Sequence, residues 1–271
     1  MLGIIIAAGR GLRMRPLTYE LPKCMLNVGG RPLLHATMES MRAAGCDEFV
    51  IIVGHLADKI DHGGVTCVVN RHFETNNILH SLMAARDYLD GPVMCSYADI
   101  WVEPHIHHDL ANTQGDIVLA VDTDWEPYYE GRSEHPLSEA ENVFFDETGH
   151  VRKIGKHLDP AGAGALQCGE FLGLWRLSRA GAALFKDTFL SLDECRQPDS
   201  AFQHARGWWQ AYITDMVQEL VDREHQVRCA LIERGWAELD TLQDYERLVS
   251  VSARQRLHSL HRAQGVKGAP E

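Results

Sequence analysis

A short apolar run, Leu2–Ala8, gives way to a stretch unlike the rest of the chain. It reads Ala7-Ala8-Gly9-Arg10-Gly11-Leu12-Arg13-Met14-Arg15-Pro16-Leu17-Thr18, then Leu21-Pro22-Lys23. The two glycines permit positive φ and let backbone N–H groups close on phosphate oxygens. Arg10, Arg13, Arg15 and Lys23 place four cations within fourteen residues. The whole chain carries 38 acidic against 26 basic side chains, a formal charge of −12. Basic charge concentrated against that background suits a polyphosphate ligand, whereas duplex nucleic acid or an anionic membrane calls for a net basic surface. Two familiar alternatives fail on spacing: a dinucleotide fingerprint needs a third glycine where Met14 stands, and a P-loop needs G-K-[ST].

Two carboxylates far apart in sequence are candidate metal ligands. Asp99 closes Ser96-Tyr97-Ala98-Asp99, and Asp240 lies in Trp236-Ala237-Glu238-Leu239-Asp240-Thr241. Mg²⁺ is commonly held by one or two carboxylates plus substrate phosphates, so such a pair suffices. Taken alone, Asp99 equally fits a turn and Asp240 the N-cap of a following helix. The second half of the chain is rich in aromatics: Trp125, Tyr128, Tyr129, Trp175, Trp208 and Trp209. Aromatic faces or a carboxylate are what an ammonium-bearing ligand needs. The histidine tract Pro104-His105-Ile106-His107-His108-Asp109 lacks a recognised metal spacing and reads as a solvated loop. No G-x-S-x-G nucleophile elbow occurs.

The elements that must position these residues follow a βαβ rhythm. Leu2–Ala8, Phe49–Val53, Val65–Val69 and Val93–Tyr97 read as buried strands, with helices expected over Leu33–Ala44 and Ile78–Leu89. From about Asp116 the pattern turns mixed or antiparallel, with strands over Ile117–Val121, Asn142–Phe145, Val151–Ile154, Glu170–Trp175 and Val227–Ile232. Helices are expected over Leu177–Phe189, Trp208–Arg223 and Leu242–Val251, and Asp159–Ala165 reads as a loop. The expected fold is α/β: a Rossmann-like, doubly wound, mostly parallel sheet with an added mixed-strand region that serves as acceptor-binding or lid region. Residues 1–250 read as one domain, 1–115 its nucleotide-binding half and 116–250 its acceptor-binding half, with 251–271 a basic helical tail suited to a homodimer contact or the surface.

The stretch from Gly9 to Lys23 resembles the signature G-x-G-x-R-[LM]-x-P-L-T…P-K of the nucleotidyltransferases that join an NTP to a phosphorylated small molecule. The resemblance extends to about Val249. It implies that Gly9, Gly11 and the neighbouring amides of Ala7 and Ala8 hold the triphosphate, with Asn76 also on the nucleotide. It implies further that Arg13 grips the departing pyrophosphate, that Lys23 sits at the reacting phosphates, and that Asp99 and Asp240 bind Mg²⁺. The segment Glu74-Thr75-Asn76-Asn77-Ile78-Leu79-His80-Ser81-Leu82, the pair Trp208-Trp209 and the "WAELD" ending look like the branch acting on phosphocholine and aminoalkyl phosphonates. On that footing the substrates are CTP and a phospho- or phosphono-acceptor. Phosphocholine enzymes place an aromatic near the position that aligns with Glu141, so Glu141 here favours a smaller amine that meets a carboxylate, with Trp125 and Trp208 as walls. The rivals are a uridylyl- or thymidylyltransferase acting on a sugar 1-phosphate and a non-catalytic nucleotide sensor on the same fold.

At 271 residues the chain can bury a substantial core without staples. Its seven cysteines are dispersed, with no C-x-x-C, as expected of reduced and mostly buried thiols in a cytoplasmic protein. No segment is apolar enough to suggest a signal peptide or membrane span.

Overall fold

The computed structural model describes residues 1–250, so the expected tail lies outside the described residues. In chain order the first half contains β1 (Leu2–Ala7), a short ribbon of β2 (Asn27–Val28) and β3 (Arg31–Pro32), and α1 (Leu33–Ala43). β4 (Glu48–Val53), β5 (Thr66–Val69), α2 (Ile78–Met83), β6 (Val93–Tyr97), β7 (Ile100–Val102) and α3 (Pro104–Asn112) follow. The second half contains β8 (Ile117–Asp122), β9 (Glu141–Phe145), β10 (Val151–Lys156), β11 (Gln167–Leu177) and α4 (Arg179–Cys195). It continues with α5 (Ile213–Asp222), β12 (Arg228–Ile232) and β13 (Trp236–Glu238), and residues 242–250 are helical.

One nine-stranded sheet spans both halves. β1 lies parallel between β4 and β6, and β5 continues beyond β4. β1 is therefore flanked by strands that follow it in opposite lateral directions, a topological switch point. In open α/β sheets the ligand crevice opens there, at the carboxyl ends of the strands. The mixed half joins at β6 through β11, which runs antiparallel to β6, β8 and β9. The expected α/β, mostly parallel, Rossmann-like architecture is the one observed. β11 carries a bulge where Gly173 adopts φ +71°; a Cβ there would collide with the Tyr97 ring. The glycine thus lets Tyr97, at the end of β6, lie flat against the sheet at the crevice.

Core packing follows the sequence pattern. The LGIIIA and EFVIIV runs are buried on both sheet faces, as parallel strands under helices must be. α1 buries Leu33, Leu34, Met38 and Met41 on one stripe, and Gly45 at φ +97° lets the chain leave it. Three expectations are corrected. The helix expected over Ile78–Leu89 ends at Met83, with a separate 3-10 turn at Arg86–Tyr88. The helix expected from Trp208 begins only at Ile213, because Asp215 folds its carboxylate back onto the Tyr212 N–H and fixes the N-terminus there. The histidine tract is helical, not a loop: Pro104 starts α3, and His107 is fully buried with Nδ1 2.7 Å from Ser40 Oγ. Burial without a compensating anion lowers its pKa to about 4, so it packs as a neutral core residue.

Among the described residues no helix is long and apolar enough to cross a membrane. All seven cysteines are free; Cys24, Cys46, Cys95 and Cys229 are buried, while Cys67 and Cys195 are exposed.

Candidate active site

The glycine loop leaves β1 at its carboxyl end. Gly11 takes φ +58°, and its carbonyl accepts a 2.7 Å hydrogen bond from Thr18 Oγ1, which folds the loop back on itself. Met14 anchors the following 3-10 turn in a small core with Leu26, Leu33 and Leu239. Neighbouring Arg13 is thereby aimed over the cleft with half of its side chain exposed. Gly9 has open space where a Cβ would stand, so a ligand can approach its backbone. Ala7, Ala8, Gly9 and Gly11 line one cleft with Lys23, Asn76 and Asp99. The structure thus brings the expected nucleotide and metal residues together. Arg10 and Arg15 stay on the exposed rim, Arg15 over the ring of Tyr19 at 5.2 Å.

The cleft wall around Asn76 and Ser81 is organised by a residue that sequence reasoning missed. Asn70 is buried and donates through Nδ2 to Asn76 Oδ1 at 2.8 Å and to Ser81 Oγ at 2.9 Å. Asn76 is therefore held in place rather than free to rotate. Nothing in the spacing of Asn70 marks it, since the hydrogen bonds form only when β5 packs beside α2.

Lys23 lies between the two aspartates: its Nζ is 2.5 Å from Asp99 Oδ2 and 2.9 Å from Asp240 Oδ1. Burial opposes its charge, but the two carboxylates outweigh that and hold it firmly protonated. Burial likewise disfavours ionisation of Asp240, yet Lys23, His135 and Arg13 hold its carboxyl well below the usual range. Arg13 reaches Asp240 Oδ2 at 2.5 Å. A two-stranded ribbon of β7 and β13 sets the distance between the aspartates. Asp99 immediately precedes β7, Asp240 follows β13 by one residue, and the Asp99 carbonyl accepts the Leu239 N–H at 2.9 Å.

A second layer behind Asp240 was also invisible in the sequence. Arg132, its side chain fully buried, pairs with Asp244 at 2.8 Å and Glu238 at 3.3 Å and stacks on Tyr128 and Tyr129. His135 Nδ1 is 2.9 Å from Asp240 Oδ2. Both residues come from the irregular segment 123–140, where no periodicity exposes which side chains turn inward. Asp244 had a legible signal: Thr241-x-x-Asp244 is a capping box, and its Oδ2 accepts the N–H groups of Asp240 and Thr241. That cap fixes Asp240 at the entrance to helix 242–250.

The residues fit a divalent cation. Asp99 Oδ1 is buried without a hydrogen-bond partner, and the carboxylates of Asp99 and Asp240 offer the hard oxygen donors that Mg²⁺ prefers. His135, Glu238 and Asp240 also cluster within 4.8 Å. His135 here orients Asp240 from behind, as the outer partners of metal ligands do.

Of the expected acceptor residues, only Glu141 lies near the two aspartates. It begins β9, and burial pushes its carboxyl up to about 7; Lys156 opposes that shift, while Asp215, Asp240 and Asp99 add to it. Trp208 is not a pocket wall. It is fully buried, packs on Phe189 and Phe202, and donates its indole N–H to Asp193 at 2.7 Å. Trp125 is likewise buried, in a satellite cluster with Tyr129 and Ala140. Both indoles are more valuable as core area than as ligand contacts, and composition alone does not tell the two uses apart.

The chain is similar to the CTP:phosphoglutamine cytidylyltransferase of Campylobacter jejuni, at 25% identity over 91% of this chain and 98% of that protein. It is similar to the 2-aminoethylphosphonate cytidylyltransferase of Lancefieldella rimae, at 32% identity over 38% of this chain and 45% of that protein. The solved CTP:phosphocholine cytidylyltransferase of Streptococcus pneumoniae shares the fold, with a TM-score of 0.68 at 21% identity over 92% of this chain and 98% of that one. Residues 3–163 match the MobA-like NTP transferase domain, and the chain belongs to that family of nucleotidyltransferases.

Proposed function

We propose that this nucleotidyltransferase uses CTP and Mg²⁺ to transfer CMP to a nitrogen-bearing phosphorylated or phosphonate small molecule, releasing pyrophosphate. The observation that carries the reading is the convergence of Arg13, Lys23, Asp99 and Asp240 at the carboxyl edge of β1 and β6. The choice of CTP and of the acceptor class is supported by the names of the relatives, which act with phosphoglutamine, 2-aminoethylphosphonate and phosphocholine.

An anionic oxygen of the acceptor's phosphate or phosphonate attacks the α-phosphorus of CTP. The new P–O bond forms as the bond to the β-phosphate oxygen breaks, and pyrophosphate leaves with that electron pair. The attacking oxygen is ionised at neutral pH, so no strong general base is required. What the chain supplies is alignment and positive charge. Lys23 is held protonated where the α-phosphate must lie, and Arg13 stands over the mouth of the cleft, where the departing pyrophosphate has to pass. Asp99 and Asp240 are the residues that would hold Mg²⁺, which supplies further charge neutralisation on the phosphates. Asn76, fixed by Asn70, faces the nucleotide.

The test is pyrophosphate release with CTP, UTP, dTTP, ATP and GTP, each against phosphocholine, phosphoethanolamine, 2-aminoethylphosphonate, phosphoglutamine and glucose 1-phosphate. Preference for CTP with a nitrogen-bearing acceptor is expected. Turnover confined to UTP or dTTP with glucose 1-phosphate would make the chain a sugar-phosphate enzyme instead.

A further inference from the structure

We infer that the acceptor carries a carboxylate beside its amine, as an amino acid does, and that Lys156 is the residue that selects for it. The inference rests on the proposed cytidylyl transfer and names its acceptor more narrowly.

Glu141 and Lys156 are directly opposed across the antiparallel pair of β9 and β10. They sense each other's charge, yet among the described residues neither has an ion pair within 4 Å. The Lys156 ammonium lies instead over the ring of Tyr212, 4.9 Å from its centroid. Lys156 lines a cavity with His157, His204, Arg206, Tyr212 and Asp215, a basic lining in an acidic protein. Asp215 also lines it, its carboxylate accepting the N–H groups of Tyr212 and His204 at 2.8 and 3.0 Å, so four basic side chains stand against one acid.

This cavity adjoins the nucleotide cleft. The Gln210 carbonyl in its wall accepts from Asn77 Nδ2 in the cleft wall at 3.0 Å. Glu141 stands opposite Lys156 in the β9–β10 pair, near enough to Asp99 and Asp240 for their charges to bear on its carboxyl. An acceptor bearing only an ammonium would be drawn to Glu141 and repelled by Lys156. One that also bears a carboxylate gives each of the two residues an opposite charge and leaves neither half-paired in a partly desolvated pocket. The selection therefore combines an attraction for the zwitterion with a repulsion of the simple amine.

Two pairs of probes differ only in that carboxylate: O-phosphoserine against O-phosphoethanolamine, and 2-amino-3-phosphonopropionate against 2-aminoethylphosphonate. With CTP and Mg²⁺, kcat/KM is expected to favour the carboxylated member of at least one pair by about tenfold or more, the ratio one charge-assisted contact commonly gives. Lys156→Gln should bring that ratio close to one through the acceptor KM, and Lys156→Arg should retain most of it. Equal use of both members, preference for the simple amine, or the same loss for both in Lys156→Gln overturns the inference while leaving cytidylyl transfer intact. No release from CTP with any acceptor refutes the transfer itself, and the inference with it. Thermal melting of each variant separates a lost contact from a lost fold.

Discussion

Replacing Lys23 with methionine keeps the stem and removes the charge that lies between Asp99 and Asp240. The two carboxylate oxygens share that ammonium at 2.5 and 2.9 Å, which leaves them close together once it is gone. Two unit charges about 5 Å apart repel by roughly 3 kcal/mol at an effective dielectric near 20. Arg13 and His135 still touch Asp240, so the repulsion is softened there and falls chiefly on Asp99. For a domain of this size, roughly 3 kcal/mol corresponds to a fall of about 6–12 °C in Tm. The sign with pH is fixed by Asp240, whose carboxyl lies well below its ordinary value in the folded protein. Its contribution is present above the unfolded carboxylate pKa and is lost as pH falls through the folded one. The deficit of Lys23→Met should therefore be full at pH 7 and shrink below about pH 4 as the carboxylates protonate. A divalent cation offers a second remedy: Mg²⁺ in metal-free buffer should raise the Tm of the variant more than that of the parent. Differential scanning calorimetry with and without Mg²⁺ measures both, and turnover should fall by about 10²–10³. An unchanged Tm in EDTA, or equal Mg²⁺ responses in variant and parent, would refute this account of the carboxylate pair.

Arg13→Ala should lower kcat by about 10²–10³ with little change in Tm, because its side chain is half exposed and contributes charge rather than core area; pre-steady-state kinetics and melting curves read the two effects separately. Asp99→Asn should be nearly inactive, and EDTA should silence the parent until Mg²⁺ or Mn²⁺ is restored; undiminished turnover in EDTA contradicts the metal assignment. Glu141→Gln should raise the KM for the acceptor more than that for CTP. Because burial lifts the Glu141 carboxyl to about 7, its ionisation weakens the fold as pH rises through that value, so this variant should gain Tm at pH 8 relative to pH 5. Trp208→Ala should cost about 3–5 kcal/mol of stability, measured by denaturant unfolding, as expected for a truncated core aromatic.

Much of the fold was legible because β1, β4 and β6 are nearly uninterrupted apolar runs, and such runs survive only under helices. The glycine loop was legible for a different reason: its cations stand against the charge of the whole chain. Asp99 could be placed because it ends a recognisable strand. What escaped was decided by contacts between distant segments. Arg132 and His135 sit in an aperiodic stretch, and only the arrival of residues 238–244 gives their charges partners. Lys156 ends a strand in which Arg152 and Lys153 are exposed, and a lysine there ordinarily faces water. Trp208 misled because an indole has the same composition whether it lines a pocket or fills a core, and here His80, Phe189, Phe202 and Asp193 pack around it.

The β7–β13 ribbon has a consequence for the order of events during synthesis. All nine strands of the large sheet have left the peptidyl-transferase centre by Ile232, whereas β13 and Asp240 follow them. A nascent polypeptide that has translated the nucleotide loop, Lys23 and Asp99 still lacks the partner strand that sets the spacing of its two acids. The reaction centre is thus a late junction between residues 9–99 and residues 236–240. Competence to turn over CTP therefore waits until residues 236–240 have been made, and fragments truncated before residue 236 should be inert however well their sheet has formed.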